Sequence, residues 1–293
     1  MNETARRRAA HLAIWSGPTN PLPLGGGITN TNFLVEDRGR RYVVRVGEDI
    51  PVHGVLRFNE LAASRAAHAA GISPAVVHAE PGILVLEYID GRALTPQDVR
   101  SDLERVVALV RRADREIPKH LRGPVLVFWV FHVLRDYAHT LQAANFRLAH
   151  EIPRYLAIAE RLERAVGPIA LVFGHNDLLA ANFIDDGRRL WLVDWDYAGF
   201  NSPLFDLGGL ASNNGLDEAE RDRMLELYFD RPVDDGLRLE AQAMLAASLL
   251  REAMWSMVSE VHSRIDFDFR AYTEENLRRF QQALAAFEEM EKA

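Results

Sequence analysis

Acidic and amide side chains recur at fixed spacing in the stretch GHNDLLAANFIDDGRRLWLVDWDYAG. Asp177 is followed five positions later by Asn182, and Asp194 comes after a further strand-like run. Carboxylate and amide oxygens are the ligands that Mg²⁺ prefers, and a carboxylate can also accept the proton of a hydroxyl. The combination predicts phosphoryl transfer, which needs a positioned hydroxyl, a base and metal ions that hold the phosphate charge.

The spacing matches two motifs of protein kinases, the catalytic loop H-R-D-x-x-x-x-N and the metal-binding D-F-G, with an asparagine in place of the arginine. We expect Asp177 to be the catalytic base. Asn182 and Asp194 are the expected Mg²⁺ ligands. The turn at Asp186 and Gly187 allows a hairpin that brings both ligands to the same end.

Asp and Asn also occupy turns for purely conformational reasons, which is their commonest role. An isolated D-x-x-x-x-N would be interpreted in that way, because short motifs often arise by chance. The flanking strands, the second acid at a strand end and the upstream features favour the catalytic interpretation here.

Upstream residues fit the nucleotide side of the same reaction. Gly25, Gly26 and Gly27 precede the first strand, where their backbone N–H groups can approach phosphate closely, although three glycines alone are more often a flexible turn. Arg45 ends the second strand, where a guanidinium can clamp phosphate oxygens. Glu60, on the next helix, is its expected ion-pair partner.

The pattern of elements changes near residue 90. The order strand, strand, helix, strand, strand precedes it, and the helix of that series ends at Gly71, a C-cap residue. The chain then becomes mostly helical, from a cap at Thr95. The predicted strands lie at 31–36, 41–46, 171–174, 182–185 and 188–194, with a pair before residue 90, and helices are predicted near 130–148, 151–166, 204–212, 217–229, 237–262 and 273–291.

This order predicts an α+β, protein-kinase-like fold with two lobes. A small β-rich lobe of residues 1–90 would bind the nucleotide, and a mostly helical lobe of residues 91–293 would carry catalysis and substrate binding. The segment from Glu87 to Ile89, at the end of the fourth strand, would form the hinge, where backbone groups can bind adenine.

The amino-acid composition of the chain argues against several classes of function. The chain has 293 residues, a formal net charge of -8 and no cysteine, which excludes disulfides, thiolate catalysis and cysteine metal sites. The negative charge argues against nucleic acid as a partner. No run is long enough for a membrane span, and the N-terminal residues read as an amphipathic helix rather than a secretory signal. We therefore expect a cytoplasmic protein.

Taken together, these motifs resemble the bacterial choline/ethanolamine kinases, within the aminoglycoside phosphotransferase and protein-kinase-like superfamily. The resemblance spans about Leu24 to Tyr272 and is carried by GGGITNTNFLV, YVVRV, GHNDLLAANFI, LVDWDYAGFNSPLFDL and REAMWSMVSEVHSRIDFDFRAY. It implies transfer of the γ-phosphate of ATP, with Mg²⁺, to the hydroxyl of choline, ethanolamine or a related cationic amino alcohol.

The resemblance also assigns residues. Thr29 and Asn30 correspond to loop residues that face the nucleotide phosphates, and Arg45 corresponds to a phosphate-binding residue. Asp196 takes the place of the second acid in the family motif I-D-[FW]-E-Y and is assigned to substrate binding.

The family binds choline in an aromatic and acidic box, since a quaternary ammonium is held by π faces and carboxylates. Trp255, Phe269 and Tyr272 match that box, although a tryptophan at helical spacing is equally typical of a core. Glu252 stands where eukaryotic choline kinases carry a second tryptophan, and Asn213 stands where they carry an acid. A box altered in this way fits a primary ammonium such as ethanolamine, which needs hydrogen-bond acceptors, and it fits another amino alcohol equally well.

Other functions on the same fold remain open. The acceptor alternatives are an aminoglycoside, thiamine or another small molecule, because the C-terminal helices offer several carboxylates. A pseudokinase is a further alternative, and the presence of Asp177, Asn182 and Asp194 argues against it. A metal-dependent hydrolase lacks the paired histidines that such sites use.

Overall fold

The computed structural model describes residues 3–25, 30–263 and 265–292. They form two compact units. The first comprises Met1–Leu94, Arg115–Val125 and Ala181–Tyr197, and the second comprises Thr95–Asp114, Leu126–Ala180 and Ala198–Ala293. A sheet toward the N-terminus and helices toward the C-terminus confirm the predicted α+β class. The division into lobes at residue 90 stays a prediction.

Helices and strands follow one another along the chain as follows. They are α1 (Glu3–Ala10), β1 (Leu22–Leu24), β2 (Thr31–Asp37), β3 (Arg40–Val46), α2 (Arg57–Ala69), β4 (Val76–Glu80), β5 (Ile83–Glu87), β6 (Arg92–Ala93), α3 (Pro96–Ser101), α4 (Leu103–His120), α5 (Val130–Ala143), α6 (Ile152–Val166), β7 (Val172–Gly174), β8 (Phe183–Asp185), β9 (Leu190–Leu192), β10 (Gly199–Asn201), α7 (Pro203–Asn214), α8 (Glu218–Phe229), α9 (Asp235–His262) and α10 (Phe269–Met290).

An antiparallel sheet with the strand order β1-β2-β3-β5-β4 forms the body of the first unit. The β2–β3 hairpin turns at Arg38 and Gly39, which both have positive φ. Phe33 and Val35 alternate along β2 and are fully buried, as is Val44 opposite Phe33 on β3, and α1 adds Ala9 to the same cluster. The predicted N-terminal helix is therefore present, and it covers one face of the sheet.

Helix α2 ends as its glycine predicts. Gly71 has φ +70, and its N–H donates to the carbonyl of His68 at 2.8 Å. The next N–H, that of Ile72, donates to the carbonyl of Ala67 at 2.9 Å. This pair of bonds is a Schellman motif, which uses glycine because only glycine takes the left-handed conformation without cost.

Three short strands in the order β6-β8-β9 form a second sheet of the first unit. Strands β8 and β9 are antiparallel, with Phe183 opposite Leu192. Asp186 accepts backbone N–H groups of Arg188 and Arg189 at the turn, and Gly187 has φ +82. The predicted hairpin is confirmed.

Helix α9 is the central element of the second unit. It packs against α5, α6, α7 and α10. Residues on several of its sides, such as Met244, Ala246 and Leu250, are fully buried. A helix that is buried nearly all round presents side chains to several neighbours at once.

Helix boundaries differ from the sequence prediction at a few places. Helix α5 ends at Ala143 rather than near 148, and Asn145 beyond it has φ +47. Helix α10 starts at Phe269, before the predicted 273, because the Asp268 side chain accepts the N–H of Ala271. Helix α4 was not predicted separately.

None of the helices in the described part of the chain combines the length and the apolar character that a membrane crossing needs.

Candidate active site

Arg45 of β3 is the centre of a buried ionic group in the first unit. Its Nε lies 2.8 Å from Oε1 of Glu60, which confirms the predicted ion pair. Its Nη2 lies 2.7 Å from Oδ1 of Asp194 and 3.0 Å from Oδ1 of Asp196. One guanidinium therefore joins strand β3, helix α2 and the segment after β9.

A second guanidinium, that of Arg57, completes this arginine–carboxylate cluster. Its Nη1 lies 2.6 Å from Oε2 of Glu60, three residues further along α2, and 3.0 Å from Oδ1 of Asp196. The Asn30 side chain donates to the other oxygen of Asp196 at 2.9 Å. Asp196 is thus held by three donors, all within the first unit. Arg57 was not among the predicted residues, although the R-x-x-E spacing at the start of a helix indicates such an ion pair.

The cluster shifts the ionisation of its members. Burial raises the pKa of Glu60 to about 7, against the opposing effect of Arg45. Burial alone would lower the pKa of Arg45, but the carboxylates of Asp194, Glu60 and Asp196 raise it well above its ordinary value. Both guanidinium groups therefore stay charged, and burial opposes the ionisation of Glu60 while Arg45 and Arg57 favour it.

Asn182 and Asp194 lie at the same end of the β8–β9 hairpin, as predicted. The N–H of Val193 donates to the carbonyl of Asn182 at 3.0 Å, which continues the ladder to the residue before Asp194. Asp194 has φ +71. A left-handed conformation at a residue other than glycine is uncommon and costs free energy, and such positions cluster at functional sites.

The chemistry of these two residues fits Mg²⁺. Mg²⁺ is usually bound through one or two carboxylates, with substrate phosphates and water completing its octahedron. One carboxylate and one amide oxygen are therefore a sufficient protein contribution. Across residues 3–25, 30–263 and 265–292, no group of three or more His, Cys, Asp or Glu residues forms a metal-binding arrangement of its own.

The loop that carries Asp177 belongs to the second unit and is fixed by a buried acid of α7. Asp206 accepts the backbone N–H of His175 at 2.7 Å and that of Asn176 at 2.6 Å, one on each carboxylate oxygen. The Asn176 side chain donates to the carbonyl of Gly199 at 3.2 Å and accepts from Asn201 at 3.1 Å. The residues immediately before Asp177 are therefore held by several bonds.

Asp206 was not among the predicted site residues. Burial raises its pKa to about 6, against the two backbone hydrogen bonds, which lower it. The acid is packed tightly: a Cβ on Gly174 would lie 2.9 Å from its Oδ2 and 3.1 Å from Oδ1 of Asn176. Position 174 therefore needs glycine.

The predicted aromatic residues come together with an acid, also in the second unit. The ring of Trp255 is edge-to-face with Phe269 at 5.9 Å and with Tyr272 at 6.4 Å between centroids. The hydroxyl of Tyr272 donates to Oε1 of Glu252 at 2.8 Å. We call Glu252, Trp255, Phe269 and Tyr272 the aromatic–acid group.

Two further residues of this region were not predicted. Arg251 is buried, and its Nη1 lies 2.9 Å from Oε2 of Glu252. Phe267 is 43% exposed, and its ring lies 5.6 Å from that of Tyr272. Only the folded structure shows that these two residues lie beside Glu252 and Tyr272, because neither belongs to a recognisable sequence motif.

A narrow cavity of about 20 Å³ in the second unit is lined by Asp177 and Glu252 together. Asn213 and Arg251 also line it. The predicted base and the predicted acceptor-binding acid therefore share one cavity, whereas Trp255 does not line it.

The other residues predicted to bind the nucleotide lie outside the described part of the chain or show no contact that tests this role. Gly26, Gly27 and Thr29 lie outside the described residues, and a Cβ on Gly25 would meet no atom within 4 Å. Glu87 forms an ion pair with Arg40 at 2.8 Å. The carbonyl of Ile89 accepts the N–H of Gly91 at 3.0 Å. Their roles at a nucleotide stay predictions.

Comparison with known proteins agrees on the family. A model of the APH phosphotransferase enzyme family matches residues 21–241. Protein LicA of Haemophilus influenzae is 28% identical over 216 residues, which cover 71% of this chain and 62% of that protein, less than two thirds of its length. Ethanolamine kinase 2 of Homo sapiens is 28% identical over 278 residues, covering 84% of this chain and 71% of that protein. The crystal structure of a choline/ethanolamine kinase family protein from Mesorhizobium loti has a TM-score of 0.77 at 27% identity, covering 97% of this chain and 98% of that one.

Proposed function

The chain belongs to the phosphotransferase enzyme family, and on that premise we propose that it transfers the γ-phosphate of ATP to the hydroxyl of a small amino alcohol, of the choline and ethanolamine class. The observation that carries the proposal is the loop before Asp177, whose backbone is fixed by both oxygens of buried Asp206. A base must be held in a defined position to accept a proton from a substrate hydroxyl.

In the proposed reaction, the acceptor oxygen attacks the γ-phosphorus, the bond from that phosphorus to the β,γ-bridging oxygen breaks, and ADP leaves. Asp177 accepts the proton of the acceptor hydroxyl. The donor atoms of Arg45 bind phosphate oxygens, and Glu60 keeps that guanidinium oriented through the 2.8 Å ion pair.

Asn182 and Asp194 are the proposed ligands of Mg²⁺. When bound, the ion neutralises charge on the β- and γ-phosphates. The hairpin holds both residues at one end, so their spacing does not depend on long side chains. Asp196 contributes in this proposal by holding Arg45 and Arg57, in addition to the substrate role that the family resemblance assigns to it.

The assay that tests this proposal measures ADP release by the purified protein with ATP and Mg²⁺. Choline, ethanolamine, thiamine and kanamycin are supplied in turn as acceptors. We expect turnover with choline or ethanolamine, and a loss of roughly 100- to 10,000-fold in kcat for Asp177→Asn, because a neutral amide cannot take the proton.

Asp235→Asn is the matched control, since the same change falls on a fully exposed side chain. It should retain the parent rate. Acceptor-dependent turnover that survives in Asp177→Asn, or turnover with kanamycin or thiamine alone, would overturn the proposal.

A further inference from the structure

The backbone at Asp194, the proposed Mg²⁺ ligand, adopts the left-handed conformation, with φ +71. Such a conformation costs free energy at a residue with a side chain, and it persists only where the surrounding structure enforces it. Just before Asp194, the N–H of Val193 donates to the carbonyl of Asn182 at 3.0 Å. One residue earlier, the N–H of Leu192 donates to the carbonyl of Ile72 at 3.2 Å. These bonds leave the chain beyond Asp194 to be held by other contacts.

The hydroxyl of Ser73, a residue shortly after the end of α2, joins the two sides of Asp194. Its Oγ donates to the carbonyl of Leu192 and accepts the indole N–H of Trp195, the latter at 2.8 Å. One partner lies two residues before Asp194, and the other lies directly after it. A hydroxyl has one hydrogen to donate and lone pairs to accept with, so a single serine can make both bonds.

Both bonds of this hydroxyl are shielded from water. Ser73 and Trp195 are each only 2% exposed, and Leu192 is fully buried. Removal of the hydroxyl therefore breaks two hydrogen bonds that solvent does not replace, which costs more than the loss of an exposed bond. With the hydroxyl in place, the residues on both sides of Asp194 are fixed to one point of the fold.

The phosphate side of the proposed site is held separately. Glu60 lies in the first turn of α2, and its ion pairs with Arg45 and Arg57 do not involve Ser73, which follows the other end of that helix. The two ends of a thirteen-residue helix are roughly 20 Å apart. Loss of the Ser73 hydroxyl should therefore disturb the metal ligand and leave the phosphate-binding arginine in place.

We propose that Ser73 is a positioning residue for Asp194 and thereby sets the affinity of the protein for Mg²⁺. Its hydroxyl ties Leu192 to Trp195 and so holds the backbone between them in the conformation that presents the Asp194 carboxylate to the ion. The inference rests on the proposed kinase function and deepens it. Ser73 is not itself a proposed ligand, and it acts through the backbone alone.

The test compares Mg²⁺ binding by Ser73→Ala with Mg²⁺ binding by the parent protein. Calorimetry in the presence of a non-hydrolysable ATP analogue measures the Kd of Mg²⁺, and initial rates over a range of Mg²⁺ concentrations give the half-saturating concentration. We expect both to rise by roughly 10- to 100-fold, the range typical of losing an outer partner of a metal site. Binding of the same analogue in EDTA should stay at the parent value, because the Arg45–Glu60 ion pair is untouched.

Ser256→Ala is the matched control. Ser256 is fully buried in α9, and its hydroxyl also makes two hydrogen bonds, one to the carbonyl of Ala253 and one with the Thr273 hydroxyl, at 2.8 Å each. The control should lose stability in urea to a similar extent and keep the parent Kd for Mg²⁺. A weakening of Mg²⁺ binding by the same factor in both variants would show a general loss of stability and overturn the role of Ser73.

Two further variants separate hydrogen bonding from packing. Ser73→Cys fills nearly the same space with a weak donor and acceptor, so it should resemble Ser73→Ala in Mg²⁺ binding. Trp195→Phe removes one of the two bonds and should raise the Kd of Mg²⁺ several-fold. The combined variant Ser73→Ala/Trp195→Phe should bind Mg²⁺ more tightly than the sum of the two single effects predicts, because both changes remove the same bond.

The outcomes separate this inference from the proposed function. A parent Kd for Mg²⁺ in Ser73→Ala, or an equal loss of Mg²⁺ binding and of analogue binding in EDTA, overturns the positioning role and leaves the kinase function standing. A parent protein with neither turnover nor Mg²⁺ binding overturns both. If Ser73→Ala does not fold, a parent Kd in Ser73→Cys and Trp195→Phe again overturns the role.

Discussion

The arginine–carboxylate cluster contains many charged groups, whereas the aromatic–acid group contains one acid among aromatic rings. The first brings two guanidinium groups and three carboxylates into hydrogen-bonding distance within one buried network. The second holds one acid, Glu252, beside three rings. Under the proposed function, phosphate binding is the same for every acceptor, so a network of several charges suits it. Acceptor recognition would rest on fewer contacts, so single substitutions should change it.

We expect the largest loss of activity from a substitution at Asp194. Asp194→Asn removes a charge from the proposed Mg²⁺ site and from the ion pair with Arg45. We expect kcat to fall by more than the roughly 10- to 100-fold that is typical of losing an outer partner of a metal site, because Asp194 would be a direct ligand. Initial rates over a range of Mg²⁺ concentrations measure this loss. A variant with the parent rate at every concentration would show that the cluster has no metal role.

Arg57 tests whether the cluster acts as a network. Arg57→Met leaves Glu60 and Asp196 with one fewer cation, and removing one partner of a buried ion pair costs about 3–5 kcal/mol. We expect lower stability in urea unfolding and a roughly 10- to 100-fold lower kcat/KM for ATP. Arg57→Lys should recover part of both, because it keeps the charge.

Arg41→Met is the control for this prediction, since Arg41 pairs with the exposed Asp90. It should change neither quantity appreciably. If Arg57→Met and Arg41→Met have the same stability and the same kcat/KM for ATP, the Arg57 guanidinium is dispensable. The arginine–carboxylate cluster would then not act as one network.

Asp206 gives a pH-dependent test in the second unit. The acid is buried and its pKa is raised to about 6, above the ordinary value of 3.8. The folded state therefore binds the proton more tightly, so this contribution to stability is full below pH 3.8 and is lost as the pH rises through about 6. Asp206→Asn should lack this part of the pH dependence, on the order of 3 kcal/mol across the window.

Unfolding by urea at several pH values measures that difference. We also expect Asp206→Asn to lower kcat, because an amide offers one acceptor oxygen for the two N–H groups that precede Asp177. Parallel stability curves for the parent and the variant would show that Asp206 does not ionise differently in the two states.

Trp255 should show the smallest effect on catalysis. Because its side chain is almost fully buried, Trp255→Phe changes packing more than ligand contact. We expect a stability loss of about 1–2 kcal/mol and less than a five-fold change in kcat/KM, with the ethanolamine-to-choline ratio unchanged. A selective loss of choline turnover would instead identify the ring as a binding surface.

The sequence predicted the features that depend on residues in neighbouring elements of the chain. The hairpin that aligns Asn182 with Asp194 and the Arg45–Glu60 ion pair follow from neighbouring elements, and both are present. Local patterns missed the short strands β1, β6 and β10, which consist of two or three residues each. Helix α4 does carry a helical pattern, since Val106, Val110 and Ile117 recur at helical spacing.

The sequence did not predict residues whose partners are remote. Asp206 lies thirty positions from Asn176, and its bonds to that loop depend on how α7 packs. Arg251 is buried by tertiary contacts that its sequence neighbours do not reveal. The exposure of Trp255 likewise depends on the α9–α10 pairing, so a match to a family box could not decide between ligand contact and core.

The tight fit of Gly174 against Asp206 has a consequence for random mutagenesis. A methyl group at this position would clash with the Asp206 carboxylate, which holds the loop before Asp177. The rest of the fold would stay intact. Alanine at 174 would therefore be recovered among inactive clones of normal abundance. In a library screen, such clones would resemble substrate-pocket mutants, and only the positions that change the acceptor ratio would map the pocket itself.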